Sequence, residues 1–167
     1  MIKEIVSGGQ TGVDQAGFFV ATELELPVGG YCPKGGLDEE GMCILDRYPS
    51  LLEASTPDPD ERTRLNIDHS DGTLIVVPSW PLPSRIKDGT NLTINYAQEQ
   101  SKPYFIINLA EQSSVIDDVQ QWVREHNIEK LNIAGPRESN SPGIYEQSCG
   151  LFRELFPALK SYPKMSC

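Results

Sequence analysis

The sequence predicts an α/β fold: a Rossmann-like three-layer sandwich built on a mostly parallel sheet. Three observations predict it. Short apolar runs alternate with amphipathic runs along the chain of 167 residues, the rhythm of strand and helix taken in turn. Residues 73–77 and 104–108 are almost wholly apolar, as strands buried on both faces are. Turns rich in glycine and hydroxyl side chains follow three different strands, and each feeds, or nearly feeds, a helix.

The elements follow in order. Residues 2–6 are a short apolar run that leads into Ser7-Gly8-Gly9-Gln10-Thr11-Gly12. Val13, Ala16, Val20 and Leu24 then recur every three or four residues, an amphipathic helix. Pro27 and the pair Gly29-Gly30 stop that helix around a short second strand, and 32–38 is a glycine-containing loop. Residues 39–55 read as irregular. Thr56-Pro57 opens the next helix, with Thr56 as its cap, Pro57 at its first position and Asp58, Asp60 and Glu61 in its first turn. Residues 68–72 end it. Strand 73–77 runs into a proline-rich loop, and Asp88-Gly89-Thr90 opens a helix that Lys102-Pro103 stops. Strand 104–108 precedes a helix over about 114–126, with Val115, Val119, Trp122 and Val123 on one face. Strand 130–134 enters a third loop, 135–143. The last helix then shows Ile144, Leu151, Phe152 and Leu155 on one face, and 165–167 read as a frayed tail. There is no internal repeat or linker, so 1–167 reads as a single domain.

Composition removes several function classes. The net charge is −10, which argues against a nucleic-acid surface or an anionic membrane, both of which want basic stripes. No apolar run approaches the ~20 residues of a membrane span, and no signal peptide is evident, so the expected compartment is the cytoplasm. Cys32, Cys43, Cys149 and Cys167 contain no Cys-x-x-Cys pair, and His69 and His126 stand far apart. No direct metal site is expected.

In a parallel sheet, ligands bind beyond the C-terminal ends of the strands, where all three glycine-rich loops fall. Helix N-termini there offer backbone N–H groups and a positive dipole end, which suit a phosphate. Gly8, Gly9, Gln10, Thr11 and Gly12 form the first such seat, Gly89 and Thr90 the second, Glu138, Ser139 and Gly143 the third. Gly8 and Gly9 are read as the positive-φ positions where backbone approaches the ligand, so that Gly9→Val would block anion binding while sparing the fold. Lys34, Arg62 and Arg137 are the candidate cations. Each has a plainer reading: a solvated loop lysine, an i,i+4 pair with Asp58, and a salt bridge with Glu138 or with the acidic surface. Asp14 repels phosphate and suits a sugar hydroxyl, an amine or a metal better. With Asn66 it would hydrogen-bond sugar or ring edges, although Asn66 could equally cap its helix. Trp80 either stacks on a planar ring or covers the core edge.

The stretches 7–14, 29–35, 62–66, 70–75, 89–93 and 135–144 together resemble the putative molybdenum carrier family. That family is also described as circularly permuted YpsA-like, within the Lonely-Guy-type Rossmann-like proteins. The likeness covers nearly the whole chain. It implies a Rossmann-like fold, a phosphorylated ligand such as molybdenum cofactor (molybdopterin) or a nucleotide, a carrier role and a homo-oligomer. The chain departs from the family pattern at Gln15 and Gly36, where arginine is frequent, and at Asp88, where glycine is frequent. Each departure removes positive charge or adds negative charge.

Three functions follow from this reading. The first is a carrier or binding protein for a phosphorylated pterin or nucleotide-like ligand. The second is a nucleotide N-glycosidase of the phosphoribohydrolase kind, disfavoured because Thr93 stands where such enzymes place a glutamate; Asp14 or Glu138 would have to replace it. The third is a nucleotide-sensing regulatory protein.

Overall fold

The computed structural model describes residues 1–111 and 113–160. Among the described residues seven strands and six helices follow in the order β1 (Glu4–Val6), α1 (Val13–Glu23), β2 (Val28–Gly29), β3 (Tyr31–Cys32), α2 (Ile44–Arg47), β4 (Leu52–Glu53), α3 (Pro59–Asp68), β5 (Gly72–Val77), α4 (Thr90–Glu99), β6 (Tyr104–Asn108), α5 (Ile116–Glu125), β7 (Lys130–Ala134) and α6 (Ile144–Lys160). The main sheet has the order β2-β1-β7-β5-β6 and is parallel throughout. A small parallel pair, β3-β4, stands apart.

Strand β5 shows how the layers form. All six of its residues are buried. Leu74 and Val76 join the large core with α1, α5 and α6, while Ile75 and Val77 join a smaller cluster with Ile94 of α4. Successive side chains of a strand point to opposite faces, so alternate residues of one apolar run hold two helical layers. The order also places β1, β7 and β5 side by side. Their C-terminal ends carry the three glycine-rich loops, which therefore lie on one edge.

Several expectations need correction. Helix α3 begins at Pro59 with Asp58 as its cap, not at Thr56-Pro57. The Asp58 carboxylate accepts the Asp60 N–H at 2.9 Å, while the Glu61 carboxylate takes the N–H and hydroxyl of Thr56 and so keeps Thr56 outside the helix. Residues 39–55 are not wholly irregular, because α2 and β4 lie within them. The second strand is really two, β2 and β3, which belong to different sheets. Strand β6 is an edge strand, and four of its five residues are only half-buried. Leu151 of α6 is half-buried too, beside fully buried Ile144, Phe152 and Leu155. The thiols of Cys32 and Cys149 are buried and that of Cys43 half-buried, all unbridged; Cys167 and the expected frayed tail lie outside the described residues.

Candidate functional site

The site is built where the loop after β1 meets the loop after β7. The Ser7 hydroxyl donates to the Ile133 carbonyl at 2.9 Å, fixing the start of the first loop on the end of β7. Gly9 and Gly12 hold the positive φ angles of that loop, 75° and 81°. Gly12 is needed on two counts. Its φ suits glycine, and a Cβ there would overlap the backbone of Pro136, Arg137 and Glu138. The Val13 N–H donates to the Pro136 carbonyl at 3.3 Å and locks the two loops together.

Gly8 does something different. It has no positive φ, and a Cβ there would run into the Arg62 guanidinium. Arg62 reaches from α3 across Gly8, and its Nη1 lies 3.2 Å from the Asp14 carboxylate. Both side chains are nearly buried, 12% and 7% exposed. Asp14 also accepts the Gln10 N–H at 3.2 Å. Burial pushes the Asp14 carboxyl above its usual range, and the Arg62 charge and the Gln10 N–H pull it back. The expected pairing of Arg62 with Asp58 is therefore replaced by a pair with Asp14. Arg64, two residues on, is exposed and lies over the Tyr96 ring.

Gly9 corrects a second expectation. A Cβ at this position would come within 2.5 Å of Ile44 Cγ2 and would face Leu51 and Phe18, which are core residues. Its open side looks into the core and not toward a ligand.

The chain's own carboxylates sit at the helix starts where an outside anion was expected. At α4, Asp88 accepts the N–H and hydroxyl of Thr90 at 3.1 and 2.6 Å. Its other oxygen accepts the Arg137 N–H at 3.1 Å. At α6, Glu138 accepts the N–H groups of Gly143 at 2.5 Å and Tyr145 at 2.9 Å. Negative charge at a helix N-terminus is stabilising, so these acids hold the loops in shape. Between the loops, Glu39 accepts from the Thr11 hydroxyl and from the N–H and hydroxyl of Ser139. Arg137 Nη1 lies 3.8 Å from Glu39, so its ionic partner is Glu39 and not Glu138. Burial pushes the Glu39 carboxyl up, but the hydrogen bonds from Ser139 and Thr11 and the charge of Arg137 hold it below the usual range.

A polar cleft opens among these groups, lined by Gln10, Asp14, Arg62, Thr63, Asp88, Gly89, Thr90, Thr93 and Arg137 together with the end of β7. Its interior volume is about 30 Å³, room for one or two waters. Of the side chains that line it, Arg62 and Arg137 each hold a buried Nε–H donor with no acceptor among the described residues. A second cavity of about 460 Å³ lies beside the first loop, against Thr11, Gly12, Gln15, Glu40, Glu138, Tyr145 and Glu146.

The structure thus brings together Gly8, Gln10, Thr11, Gly12, Asp14, Arg62, Gly89, Thr90, Arg137, Glu138, Ser139 and Gly143. It does not bring Lys34 there. The Lys34 side chain is exposed and has no ion pair among the described residues. Asn66 borders the inner end of the site, but its amide is spent on the Tyr31 backbone, accepting from N at 2.7 Å and donating to O at 3.0 Å. That clamps β3 to α3, in place of either a ligand contact or a helix cap. Trp80 is 49% exposed and lines neither of these cavities. Sequence reasoning missed Thr63, Asp88 and Glu39 as site groups. Asp88, two residues before the Thr90 N–H, had a legible capping signature; Glu39 had no local signal.

The sequence model of the circularly permutated YpsA SLOG family matches residues 5–156. The chain belongs to this family. A crystal structure of a putative molybdenum carrier protein from Syntrophus aciditrophicus superposes on it with a TM-score of 0.81. The two are 39% identical, over 93% of this chain and 94% of that one. No curated protein matches the sequence. Among the described residues of this family member, no group of three or more His, Cys, Asp and Glu side chains is arranged to hold a metal ion, and no helix is long and apolar enough to cross a membrane.

Proposed function

We propose that this chain is a carrier or binding protein for a small phosphorylated ligand, a pterin of the molybdenum cofactor kind or a nucleotide, whose phosphate is held by Arg62 and Arg137. One observation carries the reading: Arg62 and Arg137 line the same cleft, and each holds a buried guanidinium Nε–H donor without an acceptor among the described residues. A buried unpaired donor costs about 1–3 kcal/mol. Two of them at the strand ends of a parallel sheet, beside the Gly89-Thr90 helix start, suit a phosphate. The name of the Syntrophus aciditrophicus relative supports a molybdenum cofactor as cargo. The donor set fits the phosphate end of that cofactor: guanidinium N–H, hydroxyl and amide groups, with no thiolate or imidazole among them. When bound, the cofactor would bring its own ligands to the metal, while Arg62 and Arg137 would bind and orient the phosphate.

Native mass spectrometry with elemental analysis for molybdenum on the same purified sample tests the cargo. A co-purifying pterin or nucleotide is expected. Arg137→Ala should weaken its binding by about 1–3 kcal/mol by calorimetry; an affinity change near zero would return Arg137 to a purely structural role.

The glycosidase reading is weaker. The Thr93 hydroxyl in the cleft donates to the Gly89 carbonyl at 2.8 Å, and Glu138 is spent on α6. Asp14 has the raised carboxyl of a general acid, but it is held by Arg62 and Gln10. Incubation with nucleoside monophosphates should release no free base, and release that Asp14→Asn abolishes would reverse this ranking.

A further inference from the structure

Donors from two loops converge on one carboxylate that belongs to neither loop. Glu39 Oε1 accepts from the Thr11 hydroxyl and, at 3.1 Å, from the Ser139 N–H. Its Oε2 accepts from the Ser139 hydroxyl at 2.5 Å and lies 3.8 Å from Arg137 Nη1. Two hydroxyls, a backbone amide and a guanidinium are donors that a phosphate would use equally well. Arg137 lines the cleft and holds a buried Nε without an acceptor among the described residues, while its Nη1 turns to Glu39.

The segment that delivers Glu39 is held by polar groups and little else. Gln10 accepts the Glu39 N–H at 2.8 Å, and Gln15 donates to Asp38 at 2.9 Å. Asp38 in turn accepts the N–H groups of Glu40 and Met42. Gly36 and Gly41 flank it at φ 65° and 77°. Leu37 and Met42, its large apolar side chains, are 54% and 49% exposed. Neither large apolar side chain of the segment opposes its displacement, in contrast to Ile44 just beyond it, which is 2% exposed in the core.

We propose that Thr11, Ser139 and Arg137 form an anion subsite of the ligand cleft, and that Glu39 is its built-in occupant, a carboxylate plug that a ligand phosphate displaces. The inference rests on the reading of Arg62 and Arg137 as phosphate ligands. The cleft as it stands, about 30 Å³, does not admit a phosphate with a ring attached, whereas the 460 Å³ cavity that Thr11 also lines has room for one. Binding is then an exchange of one anion for another over the same donors, and segment 37–43 moves out as the ligand moves in.

Calorimetric titration with inorganic phosphate and with pyrophosphate tests this on the intact chain. Glu39→Ala should bind one or both roughly tenfold more tightly than the native chain, since the loss of a competing charge-assisted set is of that order. Ser139→Ala added to Glu39→Ala should remove most of the gain. Asp46→Ala, which deletes the same charge from the exposed face of α2, should change affinity less than about threefold. An unchanged or weaker affinity in a Glu39→Ala protein with a native circular-dichroism spectrum overturns the proposal, as does an equal gain from Asp46→Ala. Should Glu39→Ala fail to fold, Glu39→Gln, which keeps the shape and loses the charge, must still show a gain; none would overturn it. Failure of the underlying reading looks different: Arg137→Ala would then leave phosphate affinity unmoved in every background. If the plug alone is wrong, Arg137→Ala still weakens binding while Glu39→Ala changes nothing.

Discussion

Arg62→Met separates a buried ion pair from a surface one. The native guanidinium lies 3.2 Å from Asp14, with the two side chains 12% and 7% exposed. Exposed pairs of this kind contribute about 0–1 kcal/mol. Removing one partner of a buried pair costs more, about 3–5 kcal/mol, because the other charge stays behind without compensation. Asp14 would lose its cation and keep only neutral partners, the Gln10 N–H and the Ser7 side chain, in an environment that already pushes its carboxyl upward. For a chain of this length, each kcal/mol shifts the melting temperature by about 2–4 °C, so the variant should melt about 6–20 °C lower at neutral pH. The pH dependence gives the sign. A carboxyl whose folded pKa is raised binds its proton more tightly in the folded state. Its favourable contribution is fully present below the unfolded value of 3.8 and is lost as pH rises through the folded pKa. The deficit of Arg62→Met should therefore shrink as pH is lowered toward 4, and Asp14→Asn in the same chain should recover most of it. Thermal melts of the native chain, Arg62→Met and the double variant across pH 4–8 decide the matter. A loss below about 1 kcal/mol that does not change with pH would refute the buried pair.

Two further outcomes follow from local geometry. Gly9→Val should destabilise the fold by about 2–5 kcal/mol, because a β-branched residue is strained at φ 75° and its Cβ meets Ile44 in the core; a native melting temperature would show that the loop can turn away. The Glu61 carboxylate accepts the hydroxyl and N–H groups of Ser55 and Thr56, which hold its pKa at about 2. Its stabilising contribution is present above the unfolded value of 4.5 and is lost as pH falls toward 2. Glu61→Gln should thus flatten acid unfolding between those values, and parallel acid curves for the two proteins would contradict the clasp.

What the sequence discloses depends on how local the deciding interaction is. Strand β7 matches its apolar run residue for residue, and α4 follows its glycine turn, because both rest on neighbouring residues. The start of α3 is displaced by two residues since Thr56-Pro57 and Asp58-Pro59 carry the same signature. Glu61, by binding Thr56 and Ser55, selects the second. Strands β3 and β4 are two residues each and show no period to detect. At the site, the three loops and both arginines were legible as residue types on one sheet edge. Their partners were not. Glu39 meets Thr11 across 28 residues and Ser139 across 100, and Arg62 meets Asp14 across 48.

Those partners alter the physics of the site. Glycine loops at helix starts are expected to present bare positive dipole ends to an anion. Here Asp88 lies on the start of α4, Glu138 on that of α6 and Asp14 on the Gln10 N–H of the first loop. These acids have already spent the dipoles, and the departure at Asp88 is one of them. The charge left to a ligand is concentrated in two guanidinium groups, one of them shared with Glu39. A small anion entering such a site exchanges with a carboxylate already hydrogen-bonded there, and the net gain is the difference between two similar sets of bonds. A ligand with a ring adds apolar burial that no carboxylate offers in return, at about 25 cal/mol per Å². Under the exchange reading, discrimination between a free phosphate and a phosphorylated cargo comes from this ring. Its affinity should respond to changes around the larger cavity, at Tyr145 above all, while that of inorganic phosphate should not.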